Sequence, residues 1–319
     1  MTDPSGRPDT PPTLLVGLVN NMPQAAKRAT DEQFTALLAA AADAAQITIR
    51  FFSIENDASQ VENTLHHLRQ LRPDALIITG DEPRRALMAD EPLWPCLSRL
   101  VDWAAENTVS SVWSCMAAHA AVFRLDQIAR KRMPQKLSGM FECAAGIDHP
   151  LLAGFPKRWL VPHSRFNYVD EAELRDKGYV VLSHAPRVGA DYFMKQVGDS
   201  LFVMLQGHPE YAPDSLFREY RRDIRRFLTG ESEFYPEMPE HYFDKVTTRK
   251  LSKLREQAHR APSPRLLAAV YAVFAAAAVP VHPSPAKQLY ANWLSLVTQE
   301  KANRAIAAQW PLANERGAA

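Results

Sequence analysis

Val109-Ser-Ser-Val-Trp-Ser114, running without a break into Cys115 and then Met116-Ala-Ala-His-Ala-Ala-Val-Phe123, is the stretch that decides the fold. Its first half is short and largely apolar, as a buried strand requires, and its second half is rich in small helix formers. No turn residue separates them. A strand that passes directly into a helix makes a sharp elbow, which lifts the side chain at the junction above the sheet and places it at the positive end of the helix. Taken alone, a Cys closing an apolar strand is usually a small buried hydrophobe. The small residues Ala117, Ala118, Ala120 and Ala121 favour the elbow, where space is short, and a helix N-terminus favours the thiolate.

Working outward, Thr13 to Asn20 reads as a buried strand ending in the loop Asn20-Asn21-Met22-Pro23. Thr30-Asp-Glu-Gln33 has the form of a capping box and predicts a helix from Thr30 to about Ala44. Ile47 to Ser53 is a strand, Ser59 to Leu71 a helix, Ala75 to Thr79 a strand, and Asp90 to Glu106 a helix. This alternation predicts an α/β fold: an open, mostly parallel sheet with helices on both faces. Beyond Phe123, Trp159–Val161, Tyr179–Ser183, Tyr192–Gln196 and Leu201–Leu205 follow closely and predict an antiparallel annex. Pro213 to Thr229 is helical, Lys245 to Gln257 is a basic stretch, and Leu266 to Val279 and Lys287 to Ala308 are closing helices divided by prolines at 280–285. The expected organisation is a tail over 1–12, an α/β domain over 13–235 and a helical extension over 236–319.

The chain has 319 residues, 37 Lys and Arg against 36 Asp and Glu, and a formal net charge of +1 with both signs interspersed. That balance gives no footprint for nucleic acid and points to small-molecule partners. No apolar run reaches spanning length, and the polar, proline-rich start does not resemble a signal peptide. Cys96, Cys115 and Cys143 lack metal or redox spacing and cannot pair evenly, which suits a reducing cytoplasm. No metal or bound cofactor is expected; Cys96 and Cys143 have no His at ligand spacing, and His66-His67 point apart on a helix.

The second informative stretch is Gln206-Gly207-His208-Pro209-Glu210, which follows the apolar run Leu201 to Leu205. It sets an imidazole and a carboxylate at the carboxyl end of a strand, where open α/β sheets build their sites. Cys115, His208 and Glu210 together form a nucleophile, base and orienting acid suited to acyl transfer. His119, one turn beyond Cys115, is expected to support the elbow.

Cys115 with Gly207-His-Pro-Glu210 resembles the class I glutamine amidotransferase fold. Asn21-Met-Pro23, Lys136-Leu-Ser-Gly-Met-Phe-Glu142, Pro162-His-Ser-Arg165, and His208-Pro-Glu-Tyr211 with Tyr220-Arg-Arg-Asp223 further resemble the homoserine O-succinyltransferase family of methionine biosynthesis, over about residues 13 to 230. The resemblance implies that Cys115 carries the acyl thioester, His208 is the base and Glu210 orients it. It implies substrate binding by Lys136, Ser164 and Arg222, and acyl-CoA as co-substrate. The stretch Asp81-Glu-Pro-Arg-Arg85 departs from the family pattern at the acyl-selecting position. Arg84 falls there, and a guanidinium suits a succinyl carboxylate. The segment Gln24 to Ala29 reads as a lengthened loop, so the coenzyme-contacting lysine is not assigned to Lys27. The expected activity is therefore O-acylation of homoserine by succinyl-CoA, in a homodimer. The residues leave open acetyl-CoA or a serine-like acceptor, a glutaminase or peptidase with the same triad, and a sensor or scaffold without turnover.

Overall fold

The computed structural model describes residues 13–42, 46–54, 58–279, 281 and 284–309. In chain order the elements are β1 (Leu14–Val19), α1 (Gln24–Ala41), β2 (Ile47–Phe52), α2 (Ala58–Leu71), β3 (Ala75–Ile78), α3 (Trp94–Asn107), β4 (Ser110–Ser114), α4 (Met116–Asp126) and β5 (Lys131–Ala145). They continue with β6 (Arg158–Tyr168), α5 (Glu171–Asp176), β7 (Val180–Ala185), β8 (Gly189–Val197), β9 (Ser200–Leu205), α6 (Ser215–Leu228), α7 (Lys245–Arg260), α8 (Leu266–Ala276) and α9 (Ala286–Gln309).

One nine-stranded sheet has the order β2-β1-β3-β4-β9-β8-β7-β5-β6. The strands from β2 to β9 run parallel, and those from β8 to β6 form the antiparallel annex. The expected α/β class is thus what is observed. Strands β3 and β4 are buried along their whole length, as central strands covered on both faces must be. On one face α2, α3 and α4 bury Leu65, Leu68, Leu97, Leu100 and Val122. On the other, α1 contributes Phe34 and Leu38, and α9 contributes Leu289, Tyr290, Trp293, Leu294 and Val297. A third cluster joins α6, α7 and α8 around Tyr220, Ile224, Leu251 and Phe274.

Several local expectations are corrected. The first helix begins at Gln24 with Pro23 as its cap position, so Thr30 caps nothing. Its hydroxyl instead donates to the Ala26 carbonyl within the helix, and Gln33 donates to Ser215 Oγ on α6 at 2.8 Å. Gln24 to Ala29 are good helix formers after a proline, so they extend the helix where a long loop was anticipated. The long strand β5 was not foreseen. Its first half, Lys131 to Lys136, is mostly exposed and contains Pro134, so it shows no alternation to read. The basic stretch from Lys245 is the amphipathic helix α7, capped by Asp244. The tail over 1–12, the end of the first predicted helix at 43–45 and Pro280, His282 and Pro283 of the proline segment lie outside the described residues.

Residues 81–93, between β3 and α3, are pinned from inside. The Glu91 carboxylate accepts from the backbone N–H groups of Arg84 and Arg85 and from the Arg130 guanidinium. Both side chains of the Arg130–Glu91 pair are almost wholly buried. Removing one partner of such a pair leaves an uncompensated charge. We expect Arg130→Met to lower unfolding free energy by about 3–5 kcal/mol in urea titrations; an unchanged midpoint would show that the pair carries no such weight.

Candidate active site

Cys115 sits where the strand-to-helix reading placed it, between the last residue of β4 and the first of α4. Its backbone has φ 52° and ψ −111°, a strained conformation for a residue with a side chain. Two features hold it there. The Cys115 N–H donates to the Leu205 carbonyl at the end of β9, at 2.7 Å. Gly80 leaves room beside it: a Cβ there would come within 2.6 Å of Met116 Cβ and 2.9 Å of the Ala117 nitrogen. The alanines of α4 are fully buried under the turn.

His208 follows β9, the strand hydrogen-bonded alongside β4, so the parallel register brings its imidazole beside the Cys115 thiol. The His208 N–H donates to the Pro162 carbonyl at 2.8 Å, and its ring stacks on Tyr211 with centroids 4.2 Å apart. Nδ1 lies 2.8 Å from Glu210 Oε1, and the Cys115 side chain is near enough to the ring to act on its charge. Ser114 Oγ donates to the same Glu210 oxygen at 3.3 Å. The structure therefore brings Cys115, His208 and Glu210 together. Burial opposes the charged imidazolium, but the charges of Glu210 and of the Cys115 sulfur outweigh it, and His208 is held well above its ordinary 6.5.

Gly207 has no room for a side chain. A Cβ would lie 2.5 Å from Val161 Cγ1 and 2.7 Å from Asp191 Oδ1, and the Gly207 N–H donates to that carboxylate. His119 lies beneath the elbow turn and also reaches the wall of the site's cavity. It is buried, its Nε2 lies 3.0 Å from Gln206 Oε1, and burial pushes its pKa down to about 3.

Above the triad is a cavity of about 100 Å³ whose walls include Lys136, Ser164 and Arg222 as well as the triad. Sequence reasoning missed what ties these three together. Two carboxylates of α6 do so. Glu219 accepts from the Ser164 and Tyr211 hydroxyls and lies 3.6 Å from Lys136 Nζ. Asp223 accepts from Lys136 Nζ at 3.2 Å and from Arg222 Nε at 2.8 Å. Burial alone would raise both acids, but Lys136 leads the neighbours that hold them below the usual carboxylate range. Glu219 and Asp223 are four residues apart, spacing that sets them on one helix face, which was the available signal.

Arg84 does not join this group. Its backbone is fixed by Glu91, and its guanidinium turns outward, more than half exposed, to pair with Asp81. Asp81, Glu82 and Pro83 line the cavity in its place. Cys143 also differs from the sequence picture: the fold sets Cys143, His163 and Asp191 with ligand atoms within 4.8 Å of one another. Spacing along the chain could not show this meeting of three strands. The Arg165 guanidinium lies among them, and its side chain is anchored on the Asn167 and Val188 carbonyls. Burial and then Asp191 push the Cys143 thiol up, away from nucleophilic character.

Fold and site together define an α/β protein with a thiol, an imidazole and a carboxylate converging at a strand-to-helix elbow. The family profile described as "HTS: Homoserine O-succinyltransferase" matches residues 6–303. The chain belongs to the homoserine O-succinyltransferase family. It is similar to the homoserine O-succinyltransferase of Rhodopseudomonas palustris, with 43% identity over 297 residues covering 90% of this chain and 89% of the relative. Similarity to the corresponding protein of Methylorubrum extorquens is 40% over 304 residues, covering 91% and 88%. Among solved structures, a glutamine amidotransferase from Methylobacillus flagellatus superposes with a TM-score of 0.49 at 13% identity, covering 89% of this chain and 94% of that one.

The raised His208 pKa has a stability consequence with a definite sign. A group whose folded pKa exceeds its unfolded value stabilises fully below about 6.5, and that contribution is lost as pH rises through the folded value. Glu210→Gln removes the foremost charge sustaining the imidazolium. We expect the ring resonances of His208 to titrate well above 6.5 in the parent chain and markedly lower in Glu210→Gln, with the alkaline loss of stability moving to lower pH in step. Equal midpoints in the two proteins would remove Glu210 from this role.

Proposed function

We propose that this chain transfers a succinyl group from succinyl-CoA to the hydroxyl of L-homoserine, the activity that gives its family its name and a step toward methionine. The observation that carries this reading is the convergence of a partly exposed Cys115 with buried His208 and Glu210 beneath a cavity walled by Lys136 and Arg222. A Lys and an Arg in one partly enclosed wall suit a carboxylate-bearing substrate, since the guanidinium offers a planar fork and the ammonium a point charge.

In the proposed reaction His208 holds the proton taken from Cys115, and the sulfur attacks the thioester carbonyl. Free N–H groups of the first turn of α4, beginning at Met116, face the developing oxyanion. The tetrahedral intermediate collapses, the coenzyme sulfur leaves with the proton from His208, and Cys115 keeps the succinyl group. Neutral His208 then accepts the homoserine hydroxyl proton as that oxygen attacks the new thioester. Expulsion of the Cys115 sulfur restores the starting pair. Glu210 orients the ring and stabilises it when charged. Lys136, Ser164 and Arg222 hold homoserine, with Glu219 and Asp223 setting their positions.

A second groove leads away from the cavity between α1 and α6, floored by Met22, Ala26 and Ala29 and edged by Arg218 and Arg226. An apolar floor with cationic edges fits a pantetheine arm and its phosphates. We place acyl transfer in residues 13–235 and give residues 236–319 a covering role. We further propose a homodimer through the outer side of α8, where Ala268, Ala269, Tyr271 and Ala272 are exposed. A cytoplasmic setting suits three cysteines that form no disulfide. No helix among the described residues is long and apolar enough to cross a membrane.

Intact-mass spectrometry after mixing with succinyl-CoA tests the central step. We expect a succinyl adduct on Cys115 that homoserine discharges, and no adduct in Cys115→Ala. An adduct that survives this substitution, or preferential loading from acetyl-CoA, would overturn the scheme or its donor. Ammonia released from glutamine would point instead to a glutaminase.

A further inference from the structure

Glu210 has one oxygen accounted for and one not. Oε1 accepts from His208 and Ser114, whereas Oε2 is buried with no hydrogen-bond partner. The Tyr290 hydroxyl, on α9, is in the same condition. Buried polar atoms are rarely left unpaired, and these two are complementary, since a carboxylate oxygen only accepts and a phenol can donate.

Their placement brings them toward one another. Ser110 and Ser114 lie on the same face of β4, because side chains alternate along a strand. Trp293 of α9 donates from Nε1 to Ser110 Oγ at 2.9 Å, and Ser114 Oγ donates to Glu210. Farther along α9, Lys301 reaches the Thr13 carbonyl and Asp74, at the amino ends of β1 and β3. Going back along α9 from Lys301 through Trp293 to Tyr290 therefore moves toward the carboxyl ends of the strands, where Glu210 lies. Tyr290 is 1% exposed, and its ring is wedged edge-on between Phe34, at 6.2 Å, and Trp293, at 6.0 Å. Burial first, and then the Glu210 charge, hold the phenol well above its ordinary value, so it is protonated and able to donate.

We propose that Tyr290 is a positioning residue of this site: its hydroxyl donates to Glu210 Oε2 through one bridging water and keeps Oε1 turned toward His208. The inference rests on the acyl-transfer reading above and extends the machinery into the last helix. Tyr192, 1% exposed on β8, also senses Glu210, as does Tyr211, and it serves as the comparison because it does not stack on His208.

The test uses the full chain with Tyr290→Phe, which keeps the ring packing and removes only the hydroxyl. We expect roughly tenfold slower turnover with succinyl-CoA, the order commanded by a hydrogen bond to a charged group. KM for homoserine should stay within about twofold and the urea midpoint should hold, because no substrate contact or packing is lost. The rate of Cys115 alkylation by iodoacetamide, followed against pH by peptide mass, should change its profile. In a Glu210→Gln background Tyr290→Phe should have no further effect. Wild-type turnover and an unchanged alkylation profile in Tyr290→Phe would overturn the proposal. So would an equal loss in the Glu210→Gln background, or a loss produced by Tyr192→Phe alone. If the parent chain takes no succinyl group on Cys115, the functional reading fails separately, and the alkylation comparison still decides the role of Tyr290.

Discussion

A single backbone hydrogen bond, from the Cys115 N–H to the Leu205 carbonyl, joins the ends of two neighbouring parallel strands. Everything chemical depends on that junction. It holds Cys115 in a conformation that costs free energy for any residue but glycine, and it does so beside the strand that delivers His208 three residues later. The surrounding structure over-determines the strain. Gly80 yields space on one side, the buried alanines of α4 on another, and the sheet prevents β4 and β9 from slipping relative to each other.

Electrostatics divides the site into two networks with different work. Beneath the nucleophile, Glu210 sustains a charged imidazolium against burial. Across the cavity, Glu219 and Asp223 are held ionised by Lys136 and its neighbours, so the cationic groups facing a substrate are themselves fixed in place. Tyr211 belongs to both, since its ring stacks on His208 while its hydroxyl donates to Glu219. Moving the carboxylate on α6 therefore disturbs the platform on which the His208 ring rests.

The last helix is more than a covering. Trp293 bonds the strand that carries the nucleophile, Lys301 closes on Asp74, and Asn292 holds the Leu151 and Ala153 carbonyls. An element more than 170 residues from Cys115 in the chain thus packs against the strand that leads into it.

Local pattern was enough for the sheet class, the elbow at Cys115 and the pairing of His208 with Glu210, because each is written in contiguous residues: apolar runs, small residues at a tight turn, and an imidazole two positions from a carboxylate. It misplaced the start of α1, where a plausible capping box lies inside a longer helix, and it missed β5, whose exposed half has no period. Tertiary structure decided what depends on distant residues meeting. Arg84 pairs with Asp81 at the surface while Glu91, itself paired with Arg130, fixes its backbone from within, and Glu219 and Asp223 become site residues only when α6 docks beside β5 and β6. Cys143 meets His163 and Asp191 only across three strands. A sequence records the neighbours of a side chain along one dimension, whereas its charge, burial and orientation are set by neighbours that arrive from the other two.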